Sequence, residues 1–134
     1  MNPTDTTQSA APLKKIFLVE DDAFLGRILS QKIAEHKFDL SLFTTADDAL
    51  RAMEDKLPDL VLLDIFLPGM NGLDALEQIR KNPKTKDLTV LMTSNSDKAE
   101  DRERAAKLGA KFLVKALVTP GGIVSEIEDV LKVK

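Results

Sequence analysis

The sequence predicts a parallel α/β sheet wound with helices on both faces, and three observations carry that prediction. From Lys15 onward, short apolar runs alternate with helical patterns in five strand-helix repeats. The runs are continuously apolar rather than alternating, as strands covered on both faces require. Helix stops at Pro58, Pro83 and Gly109 punctuate the segments.

Taken in order, the first predicted strand is Ile16 to Glu20, and the helix after it places Leu25, Ile28, Leu29 and Ile33 on one face. A second strand, Leu40 to Phe43, leads to Thr45 and Asp48, which resemble a capping box for a helix from Ala46 to about Asp55 that Pro58 prevents from continuing. The third strand runs from Leu60 to Asp64. Leu73, Leu76 and Ile79 mark the helix behind it, closed near Pro83. The fourth strand, Val90 to Ser94, precedes a helix from about Ser96 to Leu108 whose apolar stripe is only Ala105, Ala106 and Leu108, so this helix is expected to be loosely held. The fifth strand is Phe112 to Val114, and Ile123, Ile127, Val130 and Leu131 align on the last helix.

A chain of 134 residues with 43% apolar residues fits one domain and leaves little room for a second. Residues 15–134 are expected to form it. Residues 1–14, opening MNPTDTTQSAAP, lack the charged start and apolar centre of a signal peptide and are expected to be a flexible tail. The net charge of −3, with both signs interspersed, offers no basic stripe for nucleic acid. No apolar stretch approaches the roughly 18 residues of a membrane span. Zero cysteines exclude disulfides and thiolate metal sites, and a cytoplasmic location is the default expectation.

Carboxylates stand at the ends of two of these strands. Asp64 closes the run LVLLD before the turn IFLPGMNG, and Glu20, Asp21 and Asp22 follow IFLV. In an open parallel sheet, ligands sit beyond the carboxyl ends of the strands. Acids converging there would repel one another unless a cation or protons intervened, and a hard ion such as Mg²⁺ suits an all-oxygen donor set. A carboxylate can also attack phosphorus when positive charge neutralises the incoming group. Lys115, ending the fifth strand, is a candidate for that charge, and Ser94, ending the fourth, offers a hydroxyl. Asp22 directly precedes the first helix, where capping is its main expected task. His36, the only histidine, sits near the end of that helix, where it suits the dipole better than phosphotransfer.

From Lys15 to the C-terminus the chain resembles the receiver domain of two-component response regulators, through EDD (Glu20 to Asp22), LLDIFLPGMNG (Leu62 to Gly72) and LGA (Leu108 to Ala110), and less closely through VLMTS (Val90 to Ser94) and FLVK (Phe112 to Lys115). The resemblance implies a flavodoxin-like sheet of order 2-1-3-4-5 with five helices. It implies a phosphoacceptor at Asp64, and Mg²⁺ held by Glu20, Asp21, Asp64 and the Phe66 backbone carbonyl. Ser94 becomes the switch hydroxyl, Phe112 the switch aromatic and Lys115 the phosphoryl contact. The implied phosphodonor is a sensor histidine kinase or a histidine phosphotransfer protein. The implied output is a downstream protein bound through helix four, strand five and helix five, with no nucleic acid or membrane contact by this domain. Thr93 adjoins Ser94, and a one-residue slip would exchange their roles; Ser94 is preferred because alternate strand positions and the distance to Gly109 both fit the family register.

Three departures from the family pattern stand out. Ala116 follows Lys115 where the family usually has a cis-proline; a cis bond to alanine costs about 2.5 to 4 kcal/mol, so the turn is expected to be trans and rearranged, or strained. The spacing from Gly109 to Lys115 is one residue short. Phe66 stands two residues after Asp64, where polar side chains are common, and is expected to slow loss of the phosphoryl group. That same position lacks the second acid of aspartate-based phosphatases, so turnover of an external ester is not expected. A receiver-like module that binds its partner unmodified is the alternative. A flavin site is disfavoured because EDD sets negative charge where a phosphate cradle needs amides and hydroxyls.

Overall fold

The computed structural model describes residues 12–132, so most of the expected N-terminal tail lies outside the described residues. Five strands, β1 (Lys15–Val19), β2 (Asp39–Phe43), β3 (Leu60–Asp64), β4 (Thr89–Ser94) and β5 (Lys111–Val114), alternate with α1 (Ala23–Glu35), α2 (Ala46–Asp55), α3 (Gly72–Lys81), α4 (Ala99–Lys107) and α5 (Pro120–Leu131). All strand pairs are parallel, in the order β2-β1-β3-β4-β5. The order reverses between β1 and β3, which puts the topological switch point at the ends of the two strands that carry the acids.

Alternation along the central strands divides the core into two layers. Val61, Leu63, Val90 and Met92 face Ala49, Met53, Leu76 and Ile79 of α2 and α3. Leu60, Leu62 and Leu91 face Leu29 and Ile33 of α1 and Ile123, Val124 and Ile127 of α5. Every residue of β3 is buried, so its continuous apolar run reflects cover on both sides. Each fully buried leucine contributes about 1.5–3 kcal/mol. That rigid strand delivers Asp64 to a fixed point.

Capping fixes the helix starts. Asp22 accepts from the Leu25 N–H at 3.0 Å and opens α1, and Thr45 Oγ1 accepts from Asp48 N–H at 3.1 Å and opens α2. Gly109, with φ of 70°, ends the α4 segment in the left-handed region while Ala110 N–H returns to the Ala105 carbonyl at 2.9 Å.

Two expectations change. The α4 helix begins at Ala99, three residues later than expected, because Ser96 N–H is taken by Ser94 Oγ at 3.0 Å in a local turn that competes with helix. Of its expected stripe only Ala105 is buried, Ala106 being exposed and Leu108 half-buried. Among the described residues no helix is long and apolar enough to cross a membrane.

Candidate functional site

Val19 of β1 pairs with Leu63 of β3, so Glu20 and Asp64 emerge side by side, one residue beyond that pair. Both are buried, at 2% and 4% exposure, whereas Asp21 is exposed at the rim. Carboxylate oxygens of Glu20, Asp21 and Asp64 lie within 4.8 Å of one another. Into this cluster Lys115 extends its ammonium, 2.8 Å from Glu20 Oε1 and 3.1 Å from Asp64 Oδ2.

These contacts set the charge states. Burial pushes the Asp64 carboxyl up to about 6; Lys115 opposes the rise, Glu20 adds to it, and the Phe66 backbone N–H favours the charged form. Burial also works against the Lys115 ammonium, but Glu20 and Asp64 outweigh it and hold its pKa above the ordinary lysine value. Three carboxylates against one ammonium leave net negative charge, with oxygen donors only. The donor set therefore fits a hard divalent cation, and exposed Asp21 leaves an open side for entry.

The turn after β3 depends on Gly72, which the sequence marks only by its place at the end of the turn. A Cβ on Gly72 would lie 2.1 Å from the Asp64 carbonyl oxygen and 2.8 Å from Ile65 Cα. Gly72 N–H donates to the Ile65 carbonyl at 2.7 Å, folding α3 back against the strand end that carries Asp64. The signal for it was its place as the last residue of the turn LPGMNG, with Asn71 capping α3 through Leu73 N–H at 2.7 Å.

Lys115 arrives despite Ala116. Among the described residues every peptide bond is trans, and Lys115–Leu117 forms a short 3-10 turn, which resolves the expected alternatives in favour of a rearranged trans turn. Asp22 caps α1 and also donates its backbone N–H to Glu20 Oε2 at 3.2 Å, orienting that buried acid. Ser94 is fully buried at the end of β4, its oxygen engaged with Ser96 N–H rather than with Asp64. Phe112 pairs with Met92, so Ser94, two residues beyond, shares its sheet face; Thr93 pairs with Leu113 and lies on the other. Phe66 has its side chain half exposed. His36 Nδ1 lies 3.3 Å from Glu128 Oε2, joining the end of α1 to α5 rather than this cluster.

A further residue with no sequence signal supports the far side of the domain. Arg80 of α3 donates to the carbonyls of Leu108 at 2.5 Å, Leu88 at 2.7 Å, Lys86 at 3.0 Å and Gly109 at 3.3 Å, tying the α4–β5 turn to the start of β4. An arginine at a helix end reads in sequence as a dipole partner, and nothing in the spacing announces four carbonyl acceptors.

The response regulator receiver domain matches residues 16–128. The chain belongs to this family. The receiver is 31% identical to the phosphate regulon transcriptional regulatory protein PhoB of Rhizobium meliloti, over 81% of this chain and 48% of the relative. It is 36% identical to the DNA-binding response regulator MtrA of Mycobacterium leprae, over 63% of this chain and 36% of that protein. The chain thus spans about half the length, or less, of these curated relatives. Among solved structures, the non-phosphorylated HemR receiver domain of Leptospira biflexa is 33% identical with a TM-score of 0.81, covering 90% of this chain and 96% of that one. A CheY-like receiver domain from Methanospirillum hungatei gives 25% identity and a TM-score of 0.82, covering 90% and 94%.

Proposed function

We propose that this receiver is a phosphorylation-controlled binding switch, with Asp64 accepting a phosphoryl group from a phosphohistidine on a sensor histidine kinase or a histidine phosphotransfer protein. One observation carries the reading: Glu20, Asp21, Asp64 and Lys115 converge from three strand ends, with the nucleophile buried and a cation 3.1 Å away. In the transfer, an Asp64 oxygen bonds to phosphorus as the bond from phosphorus to the donor imidazole nitrogen breaks. The imidazole leaves with the electron pair and takes up a proton. Lys115 offsets charge on the phosphoryl oxygens and keeps Asp64 ionised.

Glu20, Asp21 and Asp64, with the Phe66 carbonyl, would hold Mg²⁺, which when bound would neutralise phosphoryl oxygens. Ser94 Oγ accepts from Ser96 N–H and keeps its own proton to donate, so the hydroxyl would turn toward a phosphoryl oxygen, and Phe112 on the same face follows that movement. Output passes to a protein bound at α4, β5 and α5, by shifting a pre-existing balance of conformations. The acyl phosphate is lost by hydrolysis at Asp64 itself, without turnover of an external ester. A cytoplasmic setting accords with the absence of cysteine from the chain.

Incubation with Mg²⁺ and acetyl phosphate, followed by partner capture from lysate with wild type and Asp64→Asn, tests both halves. The switch predicts a protein retained in a state-dependent way. Equal retention by both forms favours the constitutive module.

A further inference from the structure

Arg102, on the solvent side of α4, makes two contacts that join the end of β4 to β5. Its guanidinium carbon lies 5.2 Å from the centre of the Phe112 ring. Its Nε donates to Asp97 Oδ1. Asp97 lies in the segment between Ser94 and α4, one residue past the Ser96 amide that engages Ser94 Oγ. Phe112 lies three residues before Lys115, whose ammonium touches Asp64. The half-buried Phe112 ring packs against the α2–α3 layer, and Arg102 stacks over it from α4.

We infer that Arg102 is a latch that holds Phe112 at the α4–β5 surface in the unmodified protein, with Asp97 fixing the guanidinium over the ring. The attraction of a cation for a ring face depends on both partners staying in register. Inward rotation of Phe112 separates them. Movement of the β4–α4 segment toward a group on Asp64 carries Asp97 away and loosens the same contact. The latch therefore favours the unmodified arrangement and opposes modification by its own strength, which at an exposed guanidinium amounts to a factor of about two to five in the equilibrium. A planar guanidinium meets the ring and the carboxylate together, so lysine replaces it only in part. The inference rests on Asp64 as the phosphoryl site and on Phe112 as the aromatic that moves with it.

The test uses the full chain with 4-fluorophenylalanine at its six phenylalanine positions, the Phe112 signal being assigned by its loss in Phe112→Leu. Beryllofluoride with Mg²⁺ serves as the probe of Asp64. The latch predicts that Arg102→Gln shifts the Phe112 resonance more than any other and tightens beryllofluoride binding about two- to fivefold, that Asp97→Asn does the same more weakly, and that Arg102→Lys lies between wild type and Arg102→Gln. An unmoved Phe112 resonance in Arg102→Gln, or binding that is unchanged or weakened, overturns it. If wild type takes up no beryllofluoride, the Asp64 reading fails instead, and the fluorine resonance alone decides whether Arg102 holds the ring.

Discussion

Lys115 Nζ stands 3.1 Å from Asp64 Oδ2 while also touching Glu20, so one ammonium serves two buried acids from neighbouring strands. Removing it leaves both carboxylates without a cation. Lys115→Met is expected to lower stability by about 3 kcal/mol at pH 7, measured by urea denaturation, because breaking a buried pair strands a charge. Lys115 holds the Asp64 pKa down, so its loss raises that pKa further. The cost should therefore shrink as pH falls from the variant's raised Asp64 pKa toward about 6, and be smallest below about 6, where Asp64 is protonated in both proteins.

Asp64→Asn should stabilise the protein in a pH-dependent way. The folded carboxyl is raised from 3.8 to about 6, so the folded state binds the proton more tightly than the unfolded one. Stability then falls as pH rises from about 4 to about 6 and stays low above that. The full shift corresponds to about 3 kcal/mol, and screening at the open mouth reduces it to on the order of 2 kcal/mol. In chelator, the Asp64→Asn variant should match wild type near pH 4 and exceed it above pH 7, by urea denaturation across that range.

Gly72→Ala tests the backbone under the site. The new Cβ would meet the Asp64 carbonyl oxygen and Ile65 Cα, neither of which is a flexible side-chain end. The strand end or the start of α3 must move. A loss of about 3 kcal/mol is expected in urea denaturation, at the upper end for overpacking, together with weaker Mg²⁺ binding as the Asp64 carboxylate is displaced.

The strands and helices were legible because β1, β3 and β4 are buried on both faces and their composition says so, and the acidic side of the site followed because Glu20 and Asp64 directly end such runs. Strand order was not in the periodicity; it came with the family resemblance. What stayed hidden depends on contacts between distant segments. Ala116 argued against Lys115, yet a trans turn delivers its ammonium, since the end of β5 already points at Glu20 and Asp64. The late start of α4 depends on whether Ser94 Oγ or the next helical turn claims the Ser96 amide. Arg80 and the Arg102–Phe112 contact have no local pattern, and Gly72 is marked only by its place at the end of the turn LPGMNG.

Phe66 is half exposed beside Asp64, the proposed acceptor, and its backbone N–H favours the charged form of that carboxylate. If Asp64 is the phosphoacceptor proposed above, a ring there would obstruct a hydrolytic water and offer it no polar group. Phe66→Asn should shorten the half-life of the phosphorylated form on the order of tenfold, equal to about 1.4 kcal/mol in the barrier, by a decay time course in intact-mass spectra. An unchanged half-life would remove Phe66 from the account.

The most direct measurement locates the adduct. After acetyl phosphate and Mg²⁺, borohydride converts an aspartyl phosphate to homoserine, and the tryptic peptide 57–80 contains Asp59, Asp64 and Asp74. Fragment spectra are expected to show homoserine at position 64 alone, lost in Asp64→Asn. Reduction at Asp59 or Asp74, or a chain that gives no adduct, would contradict a phosphoryl switch at Asp64.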